Sequence, residues 1–153
     1  MAVTVDIFNP QVSTMAKGLE GKVILVYGGN NLGKTKQATR MKKPLYLPFE
    51  YGINFLPNID YVPIEKWSDF IKVNKQLCDP ATRDKAKERY STIIFDEVEA
   101  ASKYCQEYVC NLYGAKSIGT GKDGFGLWSE YADEFWKQIK KKKKTGYCVY
   151  FIA

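Results

Sequence analysis

An apolar run that stops at a pair of glycines, with Gly-Lys-Thr a few residues further on, constrains this chain more than any other feature. The run is Lys22–Tyr27 (Lys-Val-Ile-Leu-Val-Tyr), and it ends at Gly28-Gly29. A short β-rich run closed by a turn predicts a buried strand. Lys34–Met41 then predicts a helix, stopped before Pro44. Between them Gly28, Gly29, Asn30, Asn31, Leu32, Gly33, Lys34 and Thr35 spell GxxxxGK[ST]. Each position has a chemical reason. Glycines let backbone N–H groups wrap phosphate oxygens. The start of the helix adds a partial positive charge. A lysine at position 34 reaches the β- and γ-phosphates, and the Thr35 hydroxyl can ligate magnesium. The sequence thus predicts a site for a nucleoside triphosphate with magnesium, most simply ATP: no guanine-reading Asn-Lys-x-Asp stretch follows.

The rest of the chain alternates in the same way. Pro44–Phe49 reads as a second strand, with Pro48 suggesting a sheet edge or a strand end. Asp60–Ile64 reads as a short third strand. Helices are predicted over Glu65–Leu77, in an exposed piece running to Arg89, and over Val98–Tyr113, which Gly114 stops. Ser91–Phe95 is a near-continuous apolar strand ending at Asp96-Glu97. Trp128, Tyr131, Ala132, Phe135, Trp136 and Ile139 mark an amphipathic helix over Trp128–Lys141. Tyr147–Ala153 is a last strand. Strands alternating with helices predict an α/β fold, a mostly parallel central sheet with helices on both faces. Residues 1–20 read as a lead-in and 21–153 as one core. That core is expected to continue past Ala153, because a domain seldom ends on its own central strand.

Two acidic positions join the glycine-rich turn. Asp96 closes an apolar strand, as a carboxylate that holds magnesium through water would; an acid there would also cap the following helix. For a group that orients the attacking water, Glu97 beside Asp96 and Glu50 at the end of the second strand are both candidates, since strand ends converge on the ligand in such sheets. Lys34 completes the catalytic set. Gly119–Gly124 resembles a second phosphate loop but lacks Ser or Thr after Lys122 and has no strand before it.

Charge is local. Six of the 23 basic residues are Lys137 and Lys140–Lys144, and the remaining 17 match the 17 acidic ones. The chain therefore lacks a global nucleic-acid signature. Two segments could still meet single-stranded DNA. One is the glycine-framed loop with Lys116, Lys122 and Phe125. The other is the run Lys140, Lys141, Lys142, Lys143 and Lys144, which would equally complement a helix C-terminus. The chain has no histidine, which removes Ser-His and Cys-His catalysis. Cys78, Cys105, Cys110 and Cys148 show no metal-binding spacing and read as reduced thiols. No run is long and apolar enough for a membrane span, and no signal segment opens the chain, so the cytoplasm is expected.

The stretches Lys22–Thr35, Pro44–Gly52, Thr92–Ala101 and Tyr147–Ala153, in that order, resemble phage-encoded proteins of the RecA-like, AAA-type P-loop ATPase class. Some of these are described as single-strand-annealing or recombination ATPases. The resemblance implies a three-layer RecA-type core, Mg-ATP as ligand, a base at the second-strand end (here Glu50) and a DNA-contacting loop over Lys116–Gly126. It also implies a site shared between protomers of a homo-oligomer, and other phage recombination or replication proteins as partners. The adjacent Asp96-Glu97 is closer to the AAA pattern, so Glu50 and Glu97 both stay in view. Three functions are then expected to compete: an ATPase acting on single-stranded DNA, a nucleotide-dependent binding module without turnover, and a small-molecule P-loop kinase. With only Arg40, Arg83 and Arg89 to screen a moving phosphoryl group, the kinase is the weakest of them.

Overall fold

Alternating side chains give each strand two different faces, and here both faces are used. The computed structural model describes residues 7–8, 10, 12, 18–50, 57–121 and 125–153. Its elements run β1 (Val23–Val26), α1 (Lys34–Ala38), β2 (Pro44–Pro48), α2 (Trp67–Cys78), α3 (Arg83–Arg89), β3 (Thr92–Asp96), α4 (Val98–Tyr113), α5 (Trp128–Thr145) and β4 (Cys148–Ile152). The four strands form one parallel sheet in the order β1-β4-β3-β2. Leu45, Leu47, Ile93, Phe95, Val149 and Phe151 point to one face and meet Trp67, Phe70, Ala101, Cys105, Phe135 and Ile139 of α2, α4 and α5. Tyr46, Ile94, Tyr150 and Ile152 point to the other and pack with Ala38 of α1. This is the three-layer α/β architecture of P-loop proteins that the alternation of strands and helices predicted.

Several local expectations change. The P-loop strand β1 was predicted to be buried. It is instead an edge strand, and its Val23 and Leu25 are exposed. A strand's apolar content reports which residues it can bury, whereas its place in the sheet is set by pairing order. Proline at positions 44 and 48 suits β2, the opposite edge. The segment predicted as a third strand is reduced to a bridge between Tyr46 and Tyr61. It still runs along β2, with Tyr46 N–H donating to Asp60 O, Val62 N–H to Tyr46 O and Ile64 N–H to Pro48 O. Helix α1 is one turn long, not two, and α5 continues through the lysine run to Thr145. The lead-in lies largely outside the described residues. All four cysteines carry free thiols.

Helix α5 is also rotated relative to its predicted stripe. Trp128 and Trp136 are exposed, while Phe135, Gln138, Ile139 and Lys142 are buried. Gln138 accepts from Asn74 Nδ2 at 2.5 Å, a polar clasp between α2 and α5. Lys142 is wholly buried, and its Nζ has no hydrogen-bond partner among the described residues. The amine sits 3.9 Å from the Phe70 ring centroid and 5.2 Å from that of Phe95. A cation–π attraction is worth about 2 kcal/mol when desolvated, but stripping water from an ammonium costs several. Desolvation wins: burial holds the Lys142 pKa well below 10.5, Lys141 adding to the effect and Cys78 opposing it. From that burial Lys142 cannot reach a nucleic-acid phosphate, so it leaves the set of candidate DNA contacts.

Replacing Lys142 with methionine keeps an unbranched chain of similar length and removes the unpaired nitrogen. We expect Lys142→Met to raise the stability at neutral pH by about 1–3 kcal/mol, measured by urea denaturation. Between the lowered native pKa and the ordinary 10.5 the unfolded chain holds a proton the native state has released. Wild-type stability therefore gains a component that rises with pH across that window, and the variant's urea midpoint should lack it.

Candidate functional site

The P-loop and the end of β3 must meet across a strand, because β4 separates β1 from β3. The loop makes this crossing with backbone conformations that few residues adopt. Asn31 has φ 63°, and Gly33, which caps α1, has φ 77° and ψ 18°. Asparagine tolerates the left-handed region and glycine enters it without strain. Gln37 N–H bonds back to Gly33 O, so the turn feeds directly into the helix.

Side chains from α1, the middle of β2 and the end of β3 then converge. Thr35 Oγ1 donates to Asp96 Oδ2 at 3.0 Å. Tyr46, from β2, donates its phenol to the same carboxylate oxygen. Lys34 Nζ donates to Gly28 O and, at 2.7 Å, to Ala153 O at the end of β4. Strand β3 passes from Asp96 to Glu97 through a cis peptide bond. A cavity of about 430 Å³ is lined by Asn30, Asn31, Leu32, Gly33, Lys34, Thr35, Lys36, Asp96, Glu97 and Ile152, a size usual for small-molecule sites. Burial raises the pKa of Glu97, helped by the neighbouring carboxylates of Glu50, Asp96 and Glu99 and opposed by Lys34. Burial, the hydrogen bond to Asp96 and its charge likewise push the Tyr46 phenol upward, with Thr35 opposing.

The donor set suits magnesium. A hydroxyl and a carboxylate, both hard oxygen donors, stand 3.0 Å apart beside a phosphate-wrapping loop. Among the described residues no group of three or more His, Cys, Asp or Glu could hold a metal. Magnesium needs no such cage, since it is usually held by one or two protein oxygens together with substrate phosphates.

The predicted site residues divide into those brought together and those kept apart. All eight P-loop positions except Gly28 and Gly29 line the cavity, and Lys34 contacts Gly28. Asp96 and Glu97 lie in it. Glu50 is exposed just after β2, close enough for its charge to act on Glu97. Phe125 and Lys116 are exposed, and Lys122 falls outside the described residues. Ser102 on the first turns of α4 bonds Tyr131 on the first turns of α5, so both helices start at the strand-end side where Asp96 lies. Phe125 precedes α5 at that side. The lysine run is toward the far end of this 18-residue helix, about 18–24 Å along it from Trp128, where Lys143 approaches Gly21 before β1. Lys140, Lys141, Lys143 and Lys144 are exposed there. Reading the sequence alone missed Tyr46 and the Ala153 carbonyl. Tyr46 looks like core in a strand of apolar residues, and only the β2–β3 register shows that its hydroxyl reaches Asp96.

Comparison with known proteins shows the family to which the fold belongs. A family model described as "AAA domain" matches residues 20–153. The SPbeta prophage-derived uncharacterized protein YorG of Bacillus subtilis (strain 168) is 60% identical over 151 residues. That match takes in 99% of this chain and 46% of the relative, so the chain spans about half the relative's length. The expected kinship with phage-encoded P-loop ATPases is thereby met. No described helix is long and apolar enough to cross a membrane.

A Cβ at Gly33 would meet open space, so substitution there tests backbone strain alone. Gly33→Ala should lower stability by about 1–2 kcal/mol in urea denaturation, the cost of a left-handed L-residue.

Proposed function

Because this chain belongs to the AAA-domain family of P-loop proteins, we propose that it is a phage ATPase acting on single-stranded DNA in recombination or replication. The observation that carries the reading is the convergence of Thr35, Lys34, Asp96 and Glu97 on one cavity. Backbone N–H groups of Gly28–Thr35 hold the β- and γ-phosphates of ATP. Lys34 exchanges the Gly28 and Ala153 carbonyls for phosphate oxygens, so its charge meets charge. Thr35 and Asp96 are the residues that would hold magnesium, whose charge would offset that of the phosphates.

Glu97 is the residue we assign to the attacking water. It lines the cavity beside Asp96, while Glu50 is exposed outside that lining. The water must be oriented in line with the bond that breaks, and only a carboxylate at the cavity wall can do that. Glu50 is the rival. DNA contact falls to the loop before α5, because exposed Phe125 offers a stacking surface at the site's end of the molecule. The distant lysines at positions 140, 141, 143 and 144 add at most sequence-independent phosphate attraction. The compartment that fits is the bacterial cytoplasm, and the partners are other phage recombination or replication proteins, with a homo-oligomer as the working assembly.

Single-turnover hydrolysis of radiolabelled ATP separates the alternatives. Glu97→Gln should cut the rate by about 10²–10⁴ with ATP affinity retained, and Glu50→Gln should have a far smaller effect. The reverse order would make Glu50 the base. Tight binding without turnover in the wild type would favour a nucleotide-dependent binding module, and transfer to a nucleoside or sugar would favour a kinase. Single-stranded DNA should stimulate the wild-type rate. Phe125→Ala should lose that stimulation and weaken DNA binding by about 1–3 kcal/mol, read by fluorescence anisotropy, while keeping the DNA-free rate.

A further inference from the structure

Tyr46 is buried in a hydrophobic cluster with Ala38, Ile94, Tyr150 and Ile152. A phenylalanine would fill that space as well, so the hydroxyl calls for its own reason. On β2, Tyr46 pairs with Ile94 of β3, and Pro48 pairs with Asp96. Tyr46 and Asp96 are thus diagonal neighbours on one face of the sheet, within reach of a long aromatic side chain. The phenol reaches along that diagonal and donates to Asp96 Oδ2.

The same oxygen accepts from Thr35 Oγ1 at 3.0 Å. Two donors from different elements thus fix one oxygen, which stops the carboxylate from turning about its Cβ–Cγ bond. The other oxygen, Oδ1, accepts neither of these bonds. Tyr46 is itself held firmly: its N–H donates to Asp60 O and its C=O accepts from Val62 N–H, so the β2 backbone is bonded on both edges at this position. Thr35 would have a second task in the site, because a P-loop hydroxyl is also an expected magnesium ligand. Its oxygen would ligate through a lone pair while its O–H still donates to Asp96, so Tyr46 is the donor on Asp96 that has no part in holding the metal.

We propose that Tyr46 is a positioning residue for the magnesium site: its hydroxyl, bonded to Asp96 Oδ2, keeps the carboxylate oriented so that Oδ1 faces the metal or a water bound to it. This rests on the reading of Asp96 as the magnesium-side acid. The role is that of an outer partner that orients a ligand, whose removal typically costs 10- to 100-fold in metal affinity.

The test is the binding of a fluorescent, non-hydrolysable ATP analogue by the full chain, with magnesium titrated from an EDTA-buffered start. In Tyr46→Phe the affinity without magnesium should match the wild type, and the magnesium concentration giving half the metal-dependent gain should rise about tenfold or more. In Asp96→Asn that dependence should already be weakened, and adding Tyr46→Phe should change it little further. A Tyr46→Phe protein with wild-type magnesium dependence overturns the proposal. So does one whose magnesium-free affinity falls equally, because the hydroxyl would then serve the fold alone. Should Tyr46→Phe fail to reach the wild-type urea midpoint, Tyr46→Met is titrated in its place, and failure of both to fold also assigns the residue to stability. A wild-type protein that binds no analogue, or binds it without any magnesium effect, would remove the ATPase reading itself and this inference with it.

Discussion

The site depends on a crossing. In the order β1-β4-β3-β2 the strand that carries the P-loop and the strand that ends on Asp96 are not neighbours. Two inter-strand spacings, about 9.5 Å, lie between them. The loop after β1 must therefore pass over the end of β4 before α1 begins. Lys34 Nζ bonded to the Ala153 carbonyl and Ile152 in the cavity wall record that passage. Thr35, the next residue, then meets Asp96. The left-handed turns at Asn31 and Gly33 are what let so short a loop change direction over a neighbouring strand.

That crossing is held by two unequal layers. On one face α2, α4 and α5 bury a dense aromatic core in which Phe95 contacts Phe49, Phe70 and Phe151. On the other, a single-turn helix contributes Ala38 to the cluster around Tyr46 and Ile94. Apolar burial on the first face fixes the strands' positions, at roughly 25 cal/mol for each Å² removed from water. Among the described residues the second face is the more lightly covered, and Thr35, Tyr46 and Asp96 meet on it. The dense face holds polar groups too. Asn74 and Gln138 bond each other there, but Lys142 places a nitrogen between α5 and the aromatic rings that no described residue hydrogen-bonds.

Much of this was legible in the chain. Helix α4 has the bounds read from its apolar run and from Gly114, because a glycine at the left-handed C-cap is a local signal. The P-loop was legible for the same reason: its glycines, lysine and threonine are contiguous, and their chemistry depends on each other and little on the rest. Asp96 was legible as the end of an apolar strand. Less legible were features that depend on partners far away in sequence. The burial of Lys142 follows from the rotation of α5 against Phe70 and Phe95, which a run of five lysines conceals. The exposure of Val23 and Leu25 follows from β1 taking an edge, although its composition matches that of the central strands.

By itself the sequence determined the local groups at hand: a P-loop turn, a lysine, a threonine hydroxyl and an acid at a strand end. These are local because each depends on residue type and on neighbours a few positions away. Only the tertiary structure decided how they combine. Strand order put β4 between β1 and β3, register aimed Tyr46 at Asp96, and helix rotation sent Lys142 inward while leaving Phe125 exposed at the site's end of α5. The physical reason is that pairing and packing are settled by the total apolar surface buried and the backbone hydrogen bonds satisfied across the whole domain. No single segment carries that information.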